Sequence, residues 1–208
     1  MVYLTGDTHG ELDRFKHGRL RWLGKRDIVV VLGDFGFVWD GSKEEQKKLD
    51  WLRKRPYSLL FLDGAHENYD LLAQYPVEER FGGRVQALGG NVYHVCRGSV
   101  LELEGKKYLF AHAMTSHPDV REEDRYYMRG TMDIDSFFFE GIDGYISMCG
   151  HTPTDSIVWK KDRRYLDEPG NSIWCNDRHN VYLLDCGCGF AGGRLACLCL
   201  ETKERFYA

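Results

Sequence analysis

The sequence predicts an α/β protein, a sandwich with a parallel-rich first half and an antiparallel second half. Residues 2–4, 28–32 and 58–62 are apolar runs separated by helix-like stretches. The runs are continuous, as expected of parallel strands buried on both faces, where a half-exposed strand would alternate. From about residue 91, short strand-like segments follow one another across turns.

Residues 11–23 carry Leu12, Phe15, Leu20 and Leu23 at an imperfect helical spacing interrupted by Gly18. The strand at 28–32 stops at Gly33-Asp34, and Ser42 starts a charged surface helix over 43–55 that turns Leu49, Trp51 and Leu52 inward. The third strand stops at Asp63-Gly64. NVYHVCRG, SVLELEG and KKYLFAH read as successive strands with turns at Arg97-Gly98 and Glu104-Gly105. A charged connection over 113–130 leads to a helix at 131–141 and to the strand GYISMCGH, ending at Gly150-His151. After a Pro- and Gly-containing stretch at 160–180, NVYLLDCG, GRLACLCLE and ERFYA read as a final antiparallel set. With no repeat or linker, one domain over residues 1–208 is expected.

A chain of 208 residues can bury a core without disulfides. Its 28 basic and 32 acidic side chains leave a net charge of −4, which removes the electrostatic signal for nucleic acid. No apolar run approaches the roughly 18 residues of a membrane span, and the start MVYLTGDTHG has no signal-peptide layout. Seven cysteines, an odd number, favour reduced thiols and a cytoplasmic location. Cys186-x-Cys188 and Cys197-x-Cys199 can be drawn as a four-thiolate zinc site. Their apolar surroundings and shared strand faces favour buried thiols instead.

The strand ends carry the chemistry. Asp7-x-His9, Asp34 and His66 follow the first three strands, and His112 and His151 follow two later ones. Ligand sites in open α/β sheets collect at the carboxyl ends of strands. Carboxylate with imidazole suits Mn, Fe, Zn or Co, whereas oxygen alone suits Mg or Ca. One Asp or His after a strand is ordinarily a cap or a loop polar group; five in register with strand ends point to one site.

GDTHG (6–10), GDFG (33–36), GAHE (64–67), the His of LFAHA (109–113) and GHT (150–152) resemble the calcineurin-like metallophosphoesterases. The single His of GHT, followed by Pro153, is most similar to the serine/threonine-phosphatase and diadenosine-tetraphosphatase branch, and NVYLLDCGCGF is like that family's closing strands. The resemblance implies a two-sheet sandwich, a dinuclear metal centre and hydrolysis of a phosphoester or phosphoanhydride. Asp7, His9 and Asp34 would hold the first ion. Asp34 would bridge to a second ion, held also by His112 and His151, and His66 would be the general acid at the leaving-group oxygen. Two cations activate water and neutralise phosphate oxygens, so no protein nucleophile is needed. Two manganese ions are the first expectation, with Fe, Zn or Co as alternatives.

Two departures stand out. The family writes GNHE, whose Asn ligates the second metal; Ala65 has no lone pair to offer. Either natural degeneracy or an engineered replacement accounts for it, and the otherwise intact ligand set favours replacement. Secondly, phosphatases of this type continue GDxVDRG, whereas the chain reads Gly33-Asp34-Phe35-Gly36-Phe37-Val38-Trp39 and lacks the orienting Asp and phosphate-gripping Arg. Arg97, Arg129 and Arg194 become candidate phosphate clamps. Phe35, Phe37 and Trp39 either pack on the helix at 43–55, the favoured reading, or form an aromatic mouth that stacks a base. Asp185 reads as a residue that supports the ligands or as a structural one, rather than as a ligand. His94, His117 and His179 read as surface or loop residues, and 121–125 as a solvated face or part of a lid.

The expected function is that of a metal-dependent phosphatase impaired at Ala65, with a phosphomonoester as first choice of substrate. Phosphorylated small molecules, nucleotides and phosphoproteins all remain open, diadenosine polyphosphates included. The alternative is a pseudophosphatase that binds a phosphorylated partner or nucleotide without cleaving it. Ala65 favours that alternative; five polar groups at one crevice, with no structural need for them, oppose it.

Overall fold

The computed structural model describes residues 1–97, 101–103, 106–115, 130, 132–160 and 170–208. Among these, two mixed sheets form. The first contains β1 (Val2–Thr5), β2 (Ile28–Val31), β3 (Ser58–Phe61), β4 (Val77–Arg80), β5 (Gly83–Gly89), β6 (Val92–Val95), β12 (Ala196–Cys199) and β13 (Arg205–Tyr207). Their order is β13-β12-β1-β2-β3-β6-β5-β4, with β1, β2, β3 and β6 parallel. The second sheet contains β7 (Leu101–Leu103), β8 (Lys106–Ala111), β9 (Ile146–Cys149), β10 (Trp174–Cys175) and β11 (Val181–Leu183), ordered β10-β11-β9-β8-β7.

Side-chain alternation along these strands explains the continuous apolar runs. Tyr3, Val29, Val31, Leu59 and Phe61 pack outward against Phe15 of α1 (Leu12–Lys16) and against Leu49 and Leu52 of α2 (Lys43–Arg53). Their neighbours Leu4, Val30, Leu32 and Leu60 meet Tyr108, Phe110, Met148 and Tyr182 between the sheets. On the far side, Cys149, Val181 and Leu183 pack under Phe137 and Phe138 of α4 (Ile134–Glu140). Each fully buried aliphatic or aromatic side chain contributes about 1.5–3 kcal/mol of transfer free energy.

Several expectations need correction. Residues 11–23 are not one helix: α1 ends at Lys16, and a 3-10 turn spans Gly18–Trp22, with Gly18 at φ +59°. The sequence pattern does not show the hairpin β4–β5, turning at Phe81-Gly82, nor the helices α3 (Tyr69–Leu72) and α5 (Thr154–Lys160). The closing strands are not one antiparallel set. β11 lies parallel to β9 in the second sheet, while only β12 and β13 form a hairpin, paired antiparallel to β1 in the first. This separates the cysteines. Cys186 lies between the sheets, whereas Cys188, Cys197 and Cys199 lie on the outer face of the first. Burial pushes the Cys186 and Cys188 thiols up to about 12, as expected of buried thiols, although both follow β11 rather than lie within it.

Candidate metal centre

The strand ends converge. Asp7 and His9 follow β1, Asp34 follows β2, and His66 lies five residues past β3; His112 and His151 follow β8 and β9, and Asp185 follows β11. Three of these residues adopt left-handed backbone that is uncommon outside glycine: His9 (φ 46°), Asp34 (φ 40°) and His151 (φ 63°). Hydrogen bonds hold the strained loops. The N–H groups of Thr8 and His9 both donate to the Asp34 carbonyl, at 3.1 and 2.9 Å. The His66 N–H donates to Asp34 Oδ1 and the His151 N–H to Asp7 Oδ1, each at 2.9 Å. A Cβ on Gly64 would collide with Asp34 Oδ1, and one on Gly150 with Asp7 Oδ1, so both carboxylates lie in grooves that only glycine leaves open.

Two groups of ligand atoms result, each with all atoms within 4.8 Å of one another: His9, Asp34 and His66, and Asp7, Asp34 and His112. Asp34 belongs to both. This partition differs from the expected one, because His66 joins His9, its ring 4.6 Å away edge-on, and Asp7 joins His112. His151 is in neither group, although its ring lies 4.8 Å from that of His112.

The electrostatics are those of a site built for cations. Burial, then the charges of Asp185 and Asp34, push the Asp7 carboxyl well above its ordinary range. Burial and Asp34 likewise raise Asp185 to about 6, against one opposing hydrogen bond from the Gly187 N–H. Burial lowers His9, and lowers His112 to about 4, so both imidazoles are neutral donors at neutral pH. His112 is fully buried. Its Nδ1 sits 3.2 Å from the Leu32 carbonyl, which can only accept, so Nδ1 carries the proton and Nε2 presents a lone pair. That Nε2 is buried, has no hydrogen-bond partner among the described residues, and lies 3.6 Å from Asp34 Oδ1. A lone pair facing a carboxylate is unfavourable until a cation joins them. The residues fit divalent metal.

The family model for calcineurin-like phosphoesterases matches residues 1–185. The chain belongs to that family. No curated protein matches it.

In this calcineurin-like phosphoesterase the remaining predicted residues have other neighbours. Arg97 donates through Nε to Asp63 Oδ2 at 2.8 Å, and through Nη2 to the same oxygen and to the Tyr69 hydroxyl. Arg194 donates to the Asn171 carbonyl and Ser172 Oγ and lies over the Tyr207 ring. Arg129, His117 and residues 121–125 lie outside the described residues. Ala65 is exposed in the turn between Gly64 and His66. His94 is not a surface residue: it is buried on β6, with Nε2 3.0 Å from Asp63 Oδ1 and Nδ1 2.7 Å from Gln86 Oε1. Phe35 and Phe37 are fully buried in the outer core, whereas Trp39 is 52% exposed.

The phosphoesterase also uses Glu67, to which the sequence reading gave no role although it closes the motif GAHE. Its carboxylate accepts from the Gly36 N–H at 2.9 Å and the Gly64 N–H at 2.6 Å, tying the loops after β2 and β3 together. Burial raises it to about 8, against those two hydrogen bonds. The signal available was a carboxylate directly following His66 in a motif placed at the end of a strand.

Proposed function

We propose that this phosphoesterase is a dinuclear phosphohydrolase that prefers manganese and acts first on phosphomonoesters, with its second ion weakly held because Ala65 supplies no ligand. The observation that carries this is Asp34, common to both ligand groups and facing the unpartnered His112 Nε2. Bound divalent ions would polarise the phosphoryl oxygens and activate the attacking water. Asp7, buried beside His112, and His9 across Asp34 fix the donors in place before any ion arrives. His66, 54% exposed at the rim with Nε2 4.0 Å from Asp34 Oδ2, stays off the metal in this reading, although it lies within reach of the His9–Asp34 group, and gives a proton to the leaving oxygen. Arg97 and Arg194 already have protein partners, which supports charge neutralisation by the cations rather than by an arginine clamp. The single His of GHT supports the serine/threonine-phosphatase and diadenosine-tetraphosphatase branch, and seven free cysteines support a cytoplasmic location. Among the described residues no helix is long and apolar enough to cross a membrane.

The test is hydrolysis of p-nitrophenyl phosphate in manganese, with bound metal counted in the same samples. Replacing Asp34 with Asn should abolish turnover and remove both ions. Retention of full metal content by that variant would overturn the bridging role. Ala65 also supports a second reading, a pseudophosphatase that binds phosphate without turning it over. Phosphate binding without hydrolysis, unchanged in Ala65→Asn, would favour it.

A further inference from the structure

Beside the metal centre lies a cavity of about 320 Å³ bounded by Trp39, Asp40, Ser42, Glu44, Lys48 and the exposed face of His66. Its volume is at the lower end of small-molecule sites. Trp39 forms one wall. Its ring centroid lies 5.7 Å from that of His66, with 31° between the planes. The indole is not part of the outer core, where Phe35 and Phe37 are fully buried.

The wall is built rigidly. Glu45, on the first turn of α2, accepts hydrogen bonds from the N–H groups of Trp39, Asp40 and Gly41. From the other side, Asn68 Nδ2 donates to the Trp39 carbonyl at 3.0 Å and the Asn68 N–H to the Val38 carbonyl at 2.7 Å. A large, half-exposed aromatic on a backbone pinned from two directions loses little entropy when it binds a flat group.

We propose that this cavity receives the leaving group of the substrate and that the leaving group is a nucleoside, its base stacked on Trp39. The inference rests on the phosphoester reading above in one respect: His66, which would protonate the leaving oxygen, forms part of the wall. The P–O bond to the nucleoside breaks and a P–O bond to the water oxygen forms. The proton of His66 goes to the nucleoside oxygen, and that of the water to solvent. Among the described residues that line the cavity, Asp40, Glu44 and Glu45 outnumber the one cationic side chain, Lys48, which disfavours further phosphates there. The substrate is therefore a nucleoside monophosphate, with its one phosphate at the metals. Trp39 is the specificity-determining residue.

Calorimetry with adenosine 5′-monophosphate and with ribose 5-phosphate tests this, in manganese and on the full chain. Base–aromatic stacking is worth about 1–3 kcal/mol, or about 5- to 150-fold in affinity. The nucleotide should bind about tenfold more tightly or better; Trp39→Ala should erase the difference between the two ligands, and Trp39→Phe should keep most of it. Equal affinity for the two ligands in the unaltered chain, failure of both to bind, or a difference that survives Trp39→Ala would overturn the proposal. The readout is affinity and not a rate, so a protein that binds the nucleotide through Trp39 but hydrolyses nothing would fail the catalytic reading and keep this one. Thermal melting of the variants checks folding, which loss of an exposed side chain should not disturb.

Discussion

His112 Nε2 sits 3.6 Å from Asp34 Oδ1, wholly buried and with no hydrogen-bond partner among the described residues. Two acceptors so placed repel one another in a medium that screens poorly. Asp7 and Asp185 add carboxylates to the same crevice; Asp185 and Asp34 raise the proton affinity of Asp7, and Asp34 raises that of Asp185. The strand ends thus hold an arrangement that weakens the metal-free fold and strengthens the loaded one.

Relieving that charge should stabilise the metal-free protein. In Asp185→Asn the amide oxygen can still accept the Gly187 N–H, now at 2.8 Å from Oδ1. Urea unfolding at pH 7.5 with chelator should show a gain of about 1–3 kcal/mol, the scale set by a carboxyl displaced to about 6. The same variant should bind manganese more weakly. Destabilisation of the metal-free form would contradict the charge argument.

Metal affinity should rise as pH rises through about 6. Asp185, raised to about 6, must lose its proton when a cation arrives nearby, and below that pH the proton competes. His112, lowered to about 4, is already deprotonated across this window and adds no pH dependence. Calorimetric titration with manganese between pH 5 and 8 measures this; affinity independent of pH below 6 would refute it.

Acid stability should depend on Asp63. Burial alone would raise this carboxyl, but hydrogen bonds and charge from His94 and Arg97 prevail and hold it down at about 2. A depressed folded pKa contributes stability above the unfolded value near 4, lost as pH falls through about 2. The contribution is on the order of 2 kcal/mol. Asp63→Asn should lose it at pH 7, and its unfolding free energy should fall less between pH 4 and 2 than that of the unaltered chain.

Gly64→Ala should disable the centre, while Gly82→Ala should not. A methyl group at 64 meets Asp34 Oδ1 and, at 2.9 Å, His112 Cε1; at 82 nothing lies within 4 Å. The cost at 82 is about 1 kcal/mol for its φ of +82°. Manganese binding should be retained by Gly82→Ala and lost by Gly64→Ala.

The site was legible because each ligand follows an apolar run within a few residues, so a local pattern reports a long-range convergence. β1, β2, β3, α2 and α4 were legible for the same reason: their faces are written in consecutive residues. The allocation of β11 to one sheet and β12 to the other was not, since both runs are equally apolar and their partners, β9 and β1, lie far away in sequence. The pairing of Asp63 with His94 was hidden likewise, joining residues 31 apart on neighbouring strands. Trp39 was read together with Phe35 and Phe37, because alternation cannot tell that the chain leaves the core after Val38.

Manganese-dependent hydrolysis of p-nitrophenyl phosphate by this chain and by Ala65→Asn, side by side, tests the central claim most directly. The account predicts turnover that rises about ten- to a thousand-fold when Asn restores the missing ligand. Equal turnover in the two proteins, or none in either, would contradict it.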